Sequence, residues 1–335
     1  MRVPRFVGES RIEFGEKPEP VAGPGQLLVQ VRANALCGSE RGQFQRGTEV
    51  TPGHEAVGTV VAAGSGAATP AGTMGAIFLM DFCGSCRSCR LGYTNQCLAK
   101  RGDMGFSRDG GYGPLEVIHE SLFFPVGEDI PAAEATLLLD IMGTGGHSLA
   151  RAAQVRPDIE SILITGAGPI GLGVLAMARL RFGPSVPIAI TDYLPYRLQL
   201  AERLGGLPID LRSSDLANGL RGHGLPRVDA AFDTTGKQEA RRHALDALSH
   251  RGALVCIGHG EGLALEVSRD LIAPERAVLG SEYFRFDEFP ANLALLRENR
   301  GYLAQIITHR FPAADIQHAF ELFFAGDTGK VIIEQ

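Results

Sequence analysis

The chain has 335 residues and only six cysteines. Its first residues, MRVPRFVGESRIEF, lack the long apolar core of a secretory signal. A reducing, cytoplasmic setting is therefore the expectation. No basic run or basic helix stands out and the formal net charge is −6, so nucleic acid is not an expected partner. No uninterrupted membrane-spanning stretch occurs either. The most apolar long segment, Ser161 to Leu180, is broken by a glycine-rich middle and ended by Arg179. It reads as a buried strand followed by a helix, and no membrane association is expected. Repeats and low-complexity tracts are also missing.

The length exceeds what one core usually serves, so two domains are expected. Glycine is abundant, at 43 residues, which predicts many turns and close backbone approaches.

Four of the six cysteines fall within fifteen residues: Cys83, Cys86, Cys89 and Cys97, spaced C-x2-C-x2-C-x7-C. Four thiolates so close suit a tetrahedral ion such as zinc in a closed site. Two-residue spacers make disulfide pairing among the first three awkward. Spacing alone leaves an iron–sulfur cluster open.

Up to about residue 135 the chain reads as short strands with Gly/Pro punctuation, such as QLLVQVRANALC and EAVGTVVAAG. From about residue 158 strands alternate with helices. SILITG leads into GLGVLAMARLRFG, PIAITD into PYRLQLAERLG, and DAAFDTTG into QEARRHALDALSH, which predicts a parallel sheet with crossover helices. GALVCIG and AVLGSEYF continue it as strands. The tail returns to a mixed pattern, with helices at ANLALLREN and AADIQHAFELFFAG and a last strand at KVIIE.

The first strand–helix junction carries Gly166-Ala167-Gly168-Pro169-Ile170-Gly171. G-x-G-x-x-G is a weak signal alone. Here it follows an apolar strand, opens an apolar helix and precedes, by twenty-one residues, an aspartate (Asp192) at the end of the next strand. The glycines would permit the turn, the approach of a pyrophosphate and close helix–strand packing, with the helix N-terminus favouring the phosphate charge. Asp192 would accept the ribose hydroxyls and oppose a 2′-phosphate, so NAD is expected over NADP. The alternative is a capping aspartate. Thr234 and Gly258 stand at other glycine-ended strands that would line the same crevice.

Further ligand types occur at Cys37, in Leu36-Cys37-Gly38-Ser39-Glu40, and at His54, in Gly53-His54-Glu55. Cys, His and one carboxylate would make a three-ligand catalytic zinc site with an open position. Read singly, such a cysteine is a small buried hydrophobe and such a histidine a hydrogen-bonded one.

Taken in order, Cys37-Gly-Ser-Glu40, Gly53-His-Glu55, the four-cysteine loop, Gly110-Gly-Tyr112 and the glycine-rich turn resemble the zinc-dependent medium-chain dehydrogenases along almost the whole chain. The resemblance implies an α/β chain with a GroES-like β-rich catalytic domain over residues 1–143, a Rossmann doubly wound parallel-sheet domain over 144–284, and a return to the catalytic domain over 285–335. It implies two zinc ions per chain: a catalytic one on Cys37, His54 and Asp140, and a structural one on the four cysteines. Glu55 matches a carboxylate close to the metal. Glu40 stands where an aspartate usually orients the ligand histidine. Ser39 matches the hydroxyl nearest the substrate, and Arg197 a basic residue flanking the ribose. A homo-oligomer, dimer or tetramer, is implied too.

The chain also departs from the family pattern. Only sixteen residues separate Cys37 from His54, which shortens the substrate-side loop, and Gly42 stands where many relatives carry a relay histidine. The segments Gly280–Phe286 and Thr308–Pro312 look most like sorbitol and other polyol or sugar-acid dehydrogenases. Arg285 matches an arginine near cofactor and substrate in that branch, with a surface ion pair as its alternative reading. The expected activity is NAD-dependent oxidation of a secondary hydroxyl of a small-molecule alcohol to a ketone. Another alcohol class, such as an amino alcohol, and a non-catalytic NAD-binding protein are the alternatives.

Overall fold

The computed structural model describes residues 1–335, which divide into two compact units. The first comprises Met1–Leu139, Phe284–Ala325 and Lys330–Gln335, and the second Asp140–Tyr283 with Gly326–Gly329.

Fifteen strands run in chain order. They are β1 (Arg2–Gly8), β2 (Arg11–Glu16), β3 (Gln26–Ala35), β4 (Ala56–Ala63), β5 (Met74–Ile77), β6 (Leu115–His119) and β7 (Phe123–Pro125). There follow β8 (Ile162–Thr165), β9 (Ile188–Asp192), β10 (Leu207–Asp210), β11 (Val228–Asp233), β12 (Leu248–Cys256) and β13 (Ala277–Gly280). The last two are β14 (Ile307–Pro312) and β15 (Lys330–Glu334).

In the first unit β1 and β2 form a hairpin, and seven further strands form a sheet of order β14-β15-β3-β4-β5-β7, with β6 also pairing with β3. The alternation along β3 puts Leu27, Val29, Val31 and Ala33 in the core and leaves the intervening residues more accessible, as a period-two pattern requires. The C-terminal strand β15 inserts between β14 and β3, antiparallel to β3. Chain ends so far apart in sequence are thereby joined in one sheet. The returning helix Phe289–Leu303 brings a phenylalanine cluster with it. Phe289 stacks on Phe124 at 4.6 Å between centroids and meets Phe284 and Phe286 edge-on at 5.0 and 5.3 Å.

The second unit is a six-stranded, wholly parallel sheet of order β10-β9-β8-β11-β12-β13. Numbered within the unit this is 3-2-1-4-5-6, the doubly wound order, whose reversal lies between β8 and β11. Burial follows: every residue of Ile162–Thr165 and of Val228–Asp233 is buried, as strands covered by helices on both faces must be. The helix predicted through QEARRHALDALSH stops at Ala247, and Leu248 already belongs to β12. The strand predicted through AVLGSEYF ends at Gly280. Near Pro131 only a short helix, Ala132–Ala135, forms, followed by a buried 3-10 turn.

Phe289→Ala is expected to destabilise the first unit by about 3–5 kcal/mol through lost contacts and a cavity. The urea midpoint of that unit reports it, and a shift as small as that of a surface substitution would show that the aromatic cluster does not hold the returning segment.

Candidate functional site

Cys37 closes the run of buried residues that ends β3, and the 3-10 turn Gly38–Glu40 follows it. The turn leaves Ser39 exposed and sends Glu40 inward, where it is wholly buried. Glu40 collects three donors. The Cys37 backbone N–H donates to Oε2 at 3.2 Å, the Tyr112 hydroxyl donates to Oε2 at 2.8 Å, and His54 Nδ1 lies 3.1 Å from Oε1. Burial, and then the adjacent Glu40 carboxylate, push the Tyr112 phenol well above its ordinary range, so it stays a donor. With Nδ1 given to Glu40, Nε2 is the ring nitrogen that could serve as a metal ligand. The extra methylene of glutamate therefore does not prevent it from orienting the histidine.

His54 is delivered by a tight backbone crossing. Gly53 has φ +105°, and a β-carbon there would lie 2.7 Å from the Tyr112 backbone nitrogen. Only glycine fits, and this is the physical content of the Gly53 and Gly110-Gly-Tyr112 motifs. The half-buried ring of Phe106 packs on His54 at 5.0 Å. Phe44, the only large apolar residue in the loop between the two ligands, turns instead into the core against Phe6, Phe320 and Phe324.

Glu55 is wholly buried and forms an ion pair with Lys330, also wholly buried, at the start of β15. Asp140, peptide-bonded to Leu139 where the chain leaves the first unit, is buried and opens a π-helical turn over Asp140–Thr144. The ligand atoms of Cys37, His54, Glu55 and Asp140 lie within 4.8 Å of one another. A thiol, an imidazole and carboxylates in one buried cluster form a mixed donor set that suits zinc.

The ligand atoms of Cys83, Cys86, Cys89 and Cys97 also lie within 4.8 Å of one another, and none of the six cysteines is in a disulfide. Backbone N–H groups point at these sulfurs. Cys83 N–H donates to Cys97 Sγ at 3.2 Å, Cys86 N–H to Cys83 Sγ at 3.3 Å, and Leu98 N–H to Cys86 Sγ at 3.4 Å. Such donors, first Ser85 N–H and then Cys86 N–H, pull the Cys83 thiol down to about 6, while burial and then Cys86 push Cys89 up to about 12. Four sulfurs so crowded resist full ionisation until a cation stands among them, so the loop fits a closed structural metal.

Arg285 takes the ion-pair reading. Its Nε donates to Asp287 at 2.9 Å, and its guanidinium lies 5.5 Å above the Tyr93 ring of the cysteine loop. The next residue, Phe286, donates its N–H to Thr94 Oγ1 at 2.9 Å. The segment thus fastens the cysteine loop, because an arginine two residues before an aspartate finds its partner locally. Thr308–Pro312 belongs to the edge strand β14.

In the second unit, Gly166–Gly171 forms the turn after β8, and Pro169 is the first residue of helix Pro169–Phe182, where a proline is well placed. A β-carbon at Gly171 would meet the Gly166 carbonyl oxygen at 1.9 Å. At Gly168 a β-carbon would meet only Arg197 Nη1, at 3.7 Å. The backbone there is open to a ligand, and Arg197 stands over it. Pro169 and Ile170 are half-buried beside it. Asp192 accepts from the backbone N–H of Ala167 at 2.9 Å through one oxygen, and from Tyr193 and Leu194 at 2.7 and 3.0 Å through the other. It is a capping residue and a candidate ribose acceptor at once. Thr234 donates its hydroxyl to the Thr165 carbonyl at 2.8 Å, and Gly258 N–H donates to the Asp233 carbonyl at 3.0 Å.

The sequence reading missed Lys330, Phe106 and a buried pair beneath the strand ends. Arg241 donates through Nε to Asp233 at 2.9 Å and through its other nitrogens to the Glu261 and Gly258 carbonyls. Its only sequence signal was a helix-face arginine eight residues after a strand-end aspartate.

Lys330→Met is expected to cost about 3–5 kcal/mol, because it leaves the Glu55 charge buried without its ammonium. Lys330→Met with Glu55→Gln should recover most of that loss. Equal urea midpoints for the single and double variants would show that the pair is not coupled.

Residues 23–128 match the family model described as alcohol dehydrogenase GroES-like domain, and residues 169–298 the one described as zinc-binding dehydrogenase. An L-threonine 3-dehydrogenase of Saccharopolyspora erythraea is 30% identical over 96% of this chain and 95% of its own. Among solved structures, the alcohol dehydrogenase of Thermus sp. ATN1 superposes with a TM-score of 0.90 at 23% identity, covering 100% of both chains. The L-idonate 5-dehydrogenase of Escherichia coli superposes with a TM-score of 0.84 at 21% identity, covering 100% of this chain and 98% of its own. The chain belongs to the zinc-dependent medium-chain dehydrogenases, oxidoreductases that act on alcohol groups.

Proposed function

We propose that the chain oxidises a secondary hydroxyl of a small polar substrate, of polyol, sugar or sugar-acid type, to a ketone with NAD as acceptor. The observation that carries this reading is the buried Cys37, His54, Glu55 and Asp140 cluster, in a chain whose glycine-rich turn is closed by Asp192. Cys37, His54 and Asp140 would hold a zinc ion that lowers the pKa of a bound hydroxyl, and NAD would take the hydride.

The protein's own part is positional and electrostatic. Glu40 fixes the His54 ring and its tautomer. Lys330 sets an ammonium against Glu55 in a buried place and restrains the position of its carboxylate. Ser39, exposed on the turn after Cys37, passes the released proton outward, and the path beyond it runs through water or ribose because Gly42 offers no imidazole. The four cysteines hold a second zinc that only shapes its loop. A cytoplasmic homo-oligomer, dimer or tetramer, completes the reading; no helix is long and apolar enough to cross a membrane.

The polar character of the loop between the two ligands supports a hydroxyl-rich substrate, since Phe44 is withdrawn into the core and Gln43 is bound to the Gly105 carbonyl at 2.8 Å. Phe106 adds one apolar wall. A second reading, an amino alcohol of threonine type, is favoured by the curated relative's activity.

The test is a panel of C4–C6 polyols, sugar acids, L-threonine and simple secondary alcohols, with NAD reduction followed by absorbance. The polyol or sugar-acid class should have the highest kcat/KM, because unpaired polar groups in the pocket penalise simple alcohols. Highest turnover of L-threonine would replace this reading with the second, and apolar alcohols in first place would overturn both. Elemental analysis should give two zinc ions per chain, with mild chelation abolishing activity before folding; one metal at most would sink the two-site reading.

Asp192→Asn keeps an oxygen for the Ala167 N–H while removing the charge. It should narrow the NAD-over-NADP preference at least tenfold and lower the melting temperature slightly, because the amide that replaces the other oxygen cannot accept from the Tyr193 and Leu194 N–H groups. Comparable use of both cofactors by the unsubstituted protein would refute the role of Asp192.

A further inference from the structure

The six strands of the second unit run parallel, so their starts lie at one end of the sheet and their ends at the other. The glycine-rich turn, Asp192 and Thr234 all sit at strand ends. A separate cavity of about 660 Å³ lies at the strand starts. Arg227 on its wall immediately precedes β11, Ala247 immediately precedes β12, and Arg276 immediately precedes β13. β11 is six residues long, so roughly 20 Å of strand separates the two ends.

The cavity floor is apolar, formed by Leu216, Leu220 and Ala247. Its rim carries four arginines (Arg221, Arg227, Arg269 and Arg276), three aspartates (Asp215, Asp246 and Asp270) and His243. The carboxylates are already engaged. Asp215 caps helix Leu216–Gly222, accepting from the N–H and the side-chain amide of Asn218 at 2.7 Å each. Asp246 accepts from Arg242, and Asp270 accepts from Arg242 at 2.7 Å and Arg269 at 2.9 Å.

Three guanidiniums are left without a carboxylate. Arg227 donates to the Asp246 backbone carbonyl, Arg276 to the Leu248 and Ser249 carbonyls, and Arg221 to the Asn218 side chain. Such bonds fix the guanidiniums but do not neutralise them. Burial, and then the charge of Arg227, depress the Arg276 guanidinium below its ordinary range, against the opposing pull of Asp246 and Asp270. In a chain of net charge −6, the cavity wall carries four arginines against three aspartates, above an apolar floor.

We infer that this cavity binds a phosphate monoester carrying an apolar or aromatic group, with Arg221, Arg227 and Arg276 gathered on the phosphate and the apolar part on Leu216 and Leu220. Arginine forks match phosphate oxygens and make charge-assisted hydrogen bonds. The site is distinct from the dinucleotide crevice, and its occupancy joins the starts of three strands.

The test uses the full-length protein and phenyl phosphate as probe, titrated calorimetrically with and without saturating NAD. Inorganic phosphate and phenol serve as the separate halves of the probe. Saturable one-to-one binding of phenyl phosphate is expected, unchanged by NAD, tighter than that of either half and weakened by salt. Arg227→Ser, at an exposed position, should weaken it about tenfold, roughly one charge-assisted hydrogen bond, and Arg276→Gln at least as much. If Arg276→Gln fails to fold, Arg227→Ser alone decides. No saturable binding, competition by NAD, or indifference to Arg227→Ser would overturn the assignment. Inorganic phosphate binding as tightly as phenyl phosphate would overturn its apolar half.

Discussion

Glu40 is a buried carboxylate that cannot remain without donors, and the donors it finds are the parts of the site. It draws in the Cys37 backbone, the His54 ring and the Tyr112 hydroxyl. Each comes from a different stretch of chain, and each arrives by a separate device: the end of β3, the Gly53 crossing, and the double glycine before Tyr112. An ionised group without partners at this depth would cost several kcal/mol. Satisfying Glu40 and assembling the ligands are therefore one event. Tyr112 in turn lies in the aromatic core with Phe6 and Phe320, so the geometry of the ligand histidine is tied to the packing of the first unit.

The second buried charge acts over a longer span. Glu55 and Lys330 are 275 residues apart in sequence, yet adjacent in space. β15 is apolar and buried through Val331, Ile332 and Ile333, as suits a strand paired on both sides, between β14 and β3. Its lysine has no route to solvent and needs a carboxylate. A buried ion pair contributes little net stability compared with an apolar substitute, but it discriminates strongly among registers, since a slip of one residue would leave both charges buried and alone. The C-terminal strand is thus locked in register by the residue beside the ligand histidine.

What could be read in the sequence was local. Metal-ligand spacing, the glycine-rich turn and the change from strand-only to strand–helix rhythm rest on contacts within a few tens of residues, and these elements appear in the structure. The Cys37 and His54 segments were visible, and the family resemblance added Glu40 as the partner of His54, but the bonds of the Cys37 backbone and Tyr112 to Glu40 were not legible. Lys330 was invisible as a partner, because nothing in KVIIE states which carboxylate a buried lysine will meet. Arg285 was misleading for the opposite reason: its segment resembled a substrate-facing one, while an aspartate two residues on supplied a nearer partner. Phe106, not Phe44, packs on His54, since adjacency along the chain does not determine which ring faces a site.

Asp192 shows why residue type alone cannot assign a role at such a site. One of its oxygens is spent on the Ala167 N–H, inside the glycine-rich turn, and the other on the two N–H groups that follow it. A carboxylate has capacity for about four hydrogen bonds, so it can hold these three and still accept a ribose hydroxyl. The same side chain then shapes the turn and keeps acceptor capacity for a ligand that the turn would admit. Losing its charge to an amide should change selectivity and loosen the turn a little, whereas losing the whole side chain should loosen the turn further. The capping and ribose-binding readings of Asp192 are therefore not rivals: its position is set by the first, which prepares it for the second.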